Sequence, residues 1–283
     1  MLHPGTMGAA VGAALKPSAG AVLWAVAGRS QATAKRAELA DLIGVPDVAE
    51  LARRSDVIVS VCPPHAARDV AGEVANALAG TKRRPLYVDA NAVSPATVRA
   101  IGELLGPDRV VDASIIGPPA WEPGRTVIWL SGAAAGEVAE LFTGSPFTAR
   151  TLGPELGAAS ALKACFALHT KVVAAIRLEA AAAARGYGVA AALEEELARM
   201  QVAAVRLGAD QAAEKAWRWA GEMDEAAETM TALGLPDGFS RAAGEIFRRV
   251  ASGELHGDGR ASQRPQGAQR TGNPPLTPPM RGE

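Results

Sequence analysis

The sequence predicts an α/β domain built on a largely parallel, doubly wound sheet, followed by a domain made only of helices. Three observations carry that expectation. Through the first half of the chain, short β-branched runs alternate with Ala-rich helical stretches. Near Gly157 the strand signals stop, and helical periodicity continues to about residue 250. A glycine-rich turn, Gly5-Thr6-Met7-Gly8 followed by Gly12, opens the first helix.

The elements follow in order. Residues 9–15 form an amphipathic helix behind the glycine turn, 22–27 a strand, and 32–42 a helix. A strand over 57–61 ends at Cys62-Pro63-Pro64 and leads into a helix over 65–78. Next come a strand over 86–89 and a helix over 95–105, with Pro95 placed in its first turn. Strands over 110–116 and 126–131 complete the α/β part. The helical half reads as 158–185, 189–207, 212–233 and 241–250, punctuated by Gly186, Gly208 and Gly234-Leu235-Pro236. From Gly253 onward there is little to bury, which is the composition of a disordered tail. The expected divisions are 1–152, 153–252 and 253–283.

A chain of 283 residues holds two domains of ordinary size. Hydrophobic residues make up 48% and aromatics only 4%, so alanine and glycine must carry much of the packing. The net charge of −1 gives no electrostatic case for nucleic acid or an anionic membrane as partner. Cys62 and Cys165 make neither a disulfide framework nor a metal-ligand spacing, so no metal is expected. The opening Met1-Leu2-His3-Pro4-Gly5 lacks the basic and apolar regions of a signal peptide. The Ala-rich stretch 172–184 is interrupted by Arg177 and Glu179 and falls short of the roughly 20 apolar residues of a span. It reads as a helix buried in protein, and a cytoplasmic location is expected.

Glycines at a helix entry let backbone N–H groups approach a pyrophosphate, and the helix N-terminus adds partial positive charge. Gly5, Thr6, Met7 and Gly8 are therefore candidate dinucleotide contacts in a Rossmann-type domain, although a glycine-rich turn can also open an ordinary helix. His3 stands where the usual first glycine falls. Only Met1 and Leu2 precede the loop, whereas the first strand of such a sheet is central. The first strand is thus expected to be truncated, with the natural start upstream of Met1. Past the second strand the chain reads Gly28-Arg29-Ser30, with no acid, and Lys35 and Arg36 follow. A carboxylate there would favour NAD, while arginine pairs with a 2′-phosphate, so Arg29 and Ser30 point to NADP(H) over NAD.

Five segments together resemble the 6-phosphogluconate dehydrogenase / β-hydroxyacid dehydrogenase superfamily, over roughly residues 1–250. They are Gly5-Thr6-Met7-Gly8; Val59-Ser60-Val61-Cys62-Pro63-Pro64; Asp89-Ala90-Asn91-Ala92-Val93-Ser94-Pro95; Asp112-Ala113-Ser114-Ile115-Ile116-Gly117-Pro118-Pro119; and Gly157-Ala158-Ala159-Ser160-Ala161-Leu162-Lys163. The likeness is to a subgroup of NAD(P)-dependent oxidoreductases whose loop reads His-Pro-Gly-x-Met-Gly and whose second domain is phosphogluconate-dehydrogenase-like. It implies Cys62 and Pro63 beside the cofactor and Lys163 as the catalytic lysine. It puts Asn91 at a serine position, able to bond cofactor or substrate; read locally, Asn91 is equally an Asx-turn residue ahead of Pro95. The same likeness implies a homodimer packed through the helical domain, with the site in the cleft between domains.

Lys163 lies among apolar neighbours on its helix, and desolvation lowers an ammonium pKa toward the range useful for proton transfer. It would exchange a proton with the substrate while the nicotinamide carries the hydride. The departures are informative. Ile116-Gly117-Pro118 replaces the family's Ser-Gly-Gly loop, Phe166 its histidine and Ala167 its asparagine, which implies a small, fairly apolar substrate. At helical spacing Thr170 shares the face of Lys163, with Lys171 close by, although bonding to its own helix backbone is the commoner use of a threonine there. His169 points away from Lys163. Trp217, Trp219 and Glu222 are candidates to line the pocket, with core or dimer packing the commoner use of such a Trp pair. The expected function is an NADP(H)-dependent oxidoreductase acting on a small carbonyl or hydroxyacid. The alternatives are an imine reductase and a non-catalytic NADP-binding protein.

Overall fold

The computed structural model describes residues 1–200 and 209–254, the side chains of 209–213 excepted. The expected order holds: an α/β domain comes first and an all-helical one second. Helix α1 (Thr6–Leu15) precedes strand β1 (Leu23–Ala25), helix α2 (Gln31–Leu39), strand β2 (Ile43–Val45) and helix α3 (Val48–Arg54). Strand β3 (Val57–Ser60), helix α4 (Ala67–Leu78), strand β4 (Leu86–Asp89), helix α5 (Pro95–Leu105) and strand β5 (Val110–Ile116) continue the alternation. Strand β6 (Val127–Ser131), helix α6 (Ala135–Glu140) and strand β7 (Thr148–Thr151) close the domain. Strands β1 and β2 pair in parallel, and a five-stranded sheet runs β3-β4-β5-β6-β7, antiparallel only between β5 and β6.

Met1 and Leu2 lie in the slot between the two sheets. The Leu2 N–H donates to the Val59 carbonyl at 3.0 Å, and the Met1 amino group to the Leu23 carbonyl at 2.8 Å. The glycine turn therefore emerges at the carboxyl ends of β1 and β3. Apolar side chains fill both faces of the sheet. Helix α4 shows how: Ala67, Val70, Ala71 and Val74 recur at helical spacing and are buried as one stripe. Ser94 caps α5, its hydroxyl accepting the Thr97 N–H at 3.2 Å, with Pro95 at the first helical position.

The second domain comprises α7 (Ala158–Ala167), a π turn (Leu168–Val172), α8 (Val173–Gly186), α9 (Ala190–Arg199), α10 (Ala209–Thr231) and α11 (Gly238–Ala251). The helix expected over 189–207 is seen as α9; the remainder, from 201, and the expected tail from 255 on lie outside the described residues. The continuous helix Ala158–Gly186 is, by length and composition alone, apolar enough to cross a membrane. It packs instead against β5 at its start and against α10 and α11 further on. The core here is Ala-rich, with Trp219 meeting Phe247 edge-on at 5.3 Å between centroids. Trp219, a candidate for the substrate pocket, is thus a core residue, because its ring fills the seam between α10 and α11.

One buried carboxylate joins the domains. Asp112 on β5 accepts from the Ser160 N–H (2.9 Å), the Ser160 hydroxyl (2.7 Å) and the Ser131 hydroxyl (3.2 Å). The Ala159 N–H reaches the Ser131 hydroxyl at 3.1 Å, and the Ser114 hydroxyl reaches the Ala159 carbonyl at 2.7 Å. The first turn of α7 therefore spends its free N–H groups on the sheet. Burial pushes the Asp112 carboxyl above its ordinary range, and these donors oppose that shift. We predict that Asp112→Ala, which leaves three donors without their acceptor, lowers stability by about 3 kcal/mol. A urea unfolding midpoint identical to that of the unaltered chain would refute this.

Candidate active site

The nucleotide side is built on the N-terminus of α1. Gly5 is its N-cap, no side chain caps the helix, and no acid stands in the first turn. A Cβ built on Gly5 would meet nothing within 4 Å, so the space before the first N–H groups is open. A Cβ on Gly8 would run into the His3 carbonyl, so α1 can cross the turn this closely only as glycine. The exposed N–H end and the open approach fit a pyrophosphate. Thr6 is exposed there and Met7 is half-buried against the sheet core.

Arg29 stands beside this turn, and its Nε is buried with no partner in the protein. Burial first, then the Arg29 charge, pushes His3 down to about 4, so this imidazole is neutral. Ala27, Gly28 and Arg29 line an open pocket of about 690 Å³ with Asp47, Val48, Ala49, Glu73, Asn76 and Ala77. Ser30 is not part of that lining. Its hydroxyl caps α2, accepting the Thr33 N–H at 3.2 Å.

At the carboxyl ends of β3 and β4, Asn91 is 3% exposed. Its side-chain oxygen accepts the Cys62 N–H at 2.6 Å, and its amide nitrogen donates to Asp89 at 2.9 Å and Ser60 at 3.3 Å. Neither expected role holds: the amide is used inside the protein to brace two strand ends, and Ser94 caps α5 in its place. Burial pushes the Cys62 thiol up to about 12, which makes it a packing group rather than a nucleophile. Pro63 follows at the start of a short turn that leads into α4.

Lys163 sits one turn beyond the Asp112 joint, and its Nζ donates to the Ile115 carbonyl at 2.5 Å. Burial, then the Arg218 charge, lowers its ammonium to about 8. The π turn that follows inserts an extra residue into the helix. Thr170 therefore leaves the face of Lys163, is exposed, and donates to the Phe166 carbonyl at 2.9 Å. The extra residue turns Lys171 inward, where it pairs with Glu222, and Arg218 Nε lies 3.4 Å from the same carboxylate. Burial first, then Lys163 and Arg218, holds the Lys171 ammonium well below its ordinary range.

The other expected substrate contacts scatter. Ala167 is packed inside the helical core, because the same helix turns that face toward α10 and α11. Phe166 is 44% exposed and Trp217 58% exposed. Ile116 ends β5 half-buried, and Gly117 adopts φ +132° with Thr126 backbone 2.7 Å from where a Cβ would sit. The Thr126 hydroxyl donates to the Pro118 carbonyl at 2.6 Å, which holds this loop closed. Sequence reasoning missed Arg218; its only local signal was the i,i+4 spacing to Glu222. No His, Cys, Asp or Glu cluster able to hold a metal occurs among the described residues.

This two-domain architecture is that of the hydroxyacid dehydrogenases and imine reductases. It is similar to the 3-hydroxyisobutyrate dehydrogenase of Mycobacterium tuberculosis solved with L-serine, at TM-score 0.65 and 17% identity over 89% of this chain and 94% of that one. It is similar also to an imine reductase from Myxococcus stipitatus solved with NADP+, at TM-score 0.52 and 19% identity over 87% and 91%. Residues 184–250 match a domain of unknown function, DUF1932. An uncharacterised 28.5 kDa protein from Methanothermus fervidus is 33% identical over 166 residues, which span 58% of this chain and 62% of that relative.

The lowered Lys163 ammonium yields a direct prediction. Competitive acetylation read by mass spectrometry is expected to titrate Lys163 with a midpoint near 8. A Lys163 midpoint above 10 would remove the amine from consideration as an acid–base.

Proposed function

We propose that this chain is an NADP(H)-dependent oxidoreductase that moves a hydride to or from a small carbonyl- or hydroxyacid-type substrate, with Lys163 as the acid–base. The observation that carries this reading is the Lys163 ammonium on the Ile115 carbonyl, at the carboxyl end of β5. The glycine turn opens α1 at that same edge of the strands. In open α/β sheets ligands bind at this edge.

The Gly5 N–H is given to the His3 carbonyl at 2.9 Å, so Thr6, Met7 and Gly8 would receive the pyrophosphate on their N–H groups with Gly5 keeping the approach open, and Arg29, whose Nε has no partner in the protein, would meet a 2′-phosphate. Bound there, NADP(H) supplies the hydride. What the chain itself does is proton work. In reduction Lys163 gives a proton to the substrate oxygen; in oxidation it takes one back. An ammonium near 8 is still mostly protonated at neutral pH, so it can donate, and its neutral form is close enough in energy to accept. The Ile115 carbonyl holds the amine in either state.

The closed, apolar loop at Ile116–Pro118 favours an imine as the second reading, since that loop offers a substrate no polar side chain. A homodimer fits the exposed apolar side chains Phe166, Val173 and Ile176 along one helix. A cytoplasmic location belongs to the same reading, because the reaction draws on the cellular NADPH pool.

Titration calorimetry with NADPH and NADH tests the cofactor. NADPH is expected to bind at least about tenfold tighter, and Arg29→Ala to remove most of that advantage. Tighter NADH binding would overturn this cofactor choice. Assayed on a panel of hydroxyacids, aldehydes and imines, Lys163→Met is expected to cut turnover by about 100- to 10,000-fold with NADPH binding retained. Full turnover by that variant would end the acid–base assignment.

A further inference from the structure

Four charged side chains gather where the π turn meets α10: Lys163, Lys171, Arg218 and Glu222. Two cations, Lys171 and Arg218, pair with one carboxylate, and the charge of Lys163 is felt by Lys171. Side-chain exposure is 15% at Lys171, 7% at Glu222 and 48% at Arg218, so most of this charge is withdrawn from water. The carboxylates on neighbouring turns are committed elsewhere. Asp224 pairs with Arg248 on α11 at 3.1 Å, Glu225 accepts the Ser94 N–H and the Thr97 hydroxyl on α5, and Glu228 accepts the Ser94 hydroxyl. Arg177 on α8 adds no negative charge. Among the described residues the cluster therefore keeps a surplus of positive charge.

The guanidinium of Arg218 is underused. It meets Glu222 through Nε alone, and its terminal nitrogens have no acceptor among the described residues. A planar fork in that condition, at the half-exposed rim of a cationic cluster, suits a carboxylate held by two parallel bonds. The loop at 116–118 cannot do this work, having no polar side chain and a carbonyl already bonded to Thr126.

We propose that Arg218 is the specificity-determining residue of this site, receiving, with Lys171, a carboxylate carried by the substrate. This rests on the reading of Lys163 as the acid–base, and it narrows the carbonyl- or hydroxyacid-type substrate of that reading to one that carries a carboxylate. Glu222 holds the two cations together. Burial first, then the Arg218 charge, holds Lys163 below its ordinary range, and burial, Lys163 and Arg218 hold Lys171 there, so an arriving anion relieves both.

The test uses the full chain and two probes of similar size, malonate and uncharged 1,3-propanediol, in titration calorimetry without cofactor. Malonate is expected to bind at least tenfold tighter than the diol. Arg218→Gln should weaken malonate at least tenfold and Arg218→Lys by an intermediate factor, while Arg248→Gln, on α11, changes nothing. Malonate is also expected to raise the acetylation midpoint of Lys163. Circular dichroism checks that Arg218→Gln is folded, and Arg218→Lys carries the test should it not be. Equal binding of the two probes, or unchanged malonate binding in both Arg218 variants, would overturn the proposal. NADPH binding, measured separately, keeps the two readings apart. Should NADPH fail to bind while malonate depends on Arg218, the redox reading falls and the anion site stands.

Discussion

The structure turns on a carboxylate that has no business being charged where it lies. Asp112 is fully buried on β5, the middle strand of the five-stranded sheet, and desolvation alone would favour its neutral form. Three donors answer it, two of them from Ser160 at the start of α7. Hydrogen bonds to a charged group contribute about 1.5–3 kcal/mol each, against several for burying a carboxylate without partners. Neither the sheet nor the helix is satisfied alone, so each completes the other. The amine of Lys163, one turn further on, inherits its position from that joint.

A second joint links α10 to α5. Glu225 on α10 accepts from Ser94 and Thr97 at the N-terminus of α5, where negative charge is favoured by the helix dipole. Its neighbour Glu228 accepts the Ser94 hydroxyl at 3.2 Å. The helical domain is thus held to the sheet at two separated points, through α7 and through α10. These are the two helices that carry the charged cluster. Holding both on one rigid sheet keeps Arg218 and Lys163 in register, which any two-point recognition of a substrate requires.

Legibility in the sequence followed burial and chain distance. The strands at 57–60, 86–89 and 110–116 stood out because both faces of a parallel sheet are covered, so the runs are nearly continuous in apolar residues. Strand β2 is three residues with Gly44 at its centre, and β7 reads Thr-Ala-Arg-Thr with most of its side chains exposed. Such edge strands carry no period strong enough to see. Lys163 was readable because its segment keeps a recognisable pattern around it. The bonding partners of Ser30 and Asn91 inside the protein, Thr33 for the one and Cys62, Asp89 and Ser60 for the other, cannot be seen in a single chain read linearly. Arg218 lies 55 positions from Lys163 in the sequence numbering, and only the packing of α10 on α7 unites them.

The π turn shows how little separates one functional surface from another. With regular α-helical geometry continued through 168–172, Thr170 would follow Lys163 on one face and Lys171 would swing aside. The extra residue in the turn reverses this, leaving a threonine bonded to its own backbone and a lysine facing Glu222. Such a turn sacrifices regular hydrogen bonding, and a helix keeps it only where tertiary contacts repay the loss. Here the Lys171–Glu222 ion pair is that contact, formed in a setting where leaving either charge unpaired would cost several kcal/mol. The pair thus fixes the irregularity, and the irregularity in turn decides that the surface next to Lys163 is cationic rather than hydroxylated.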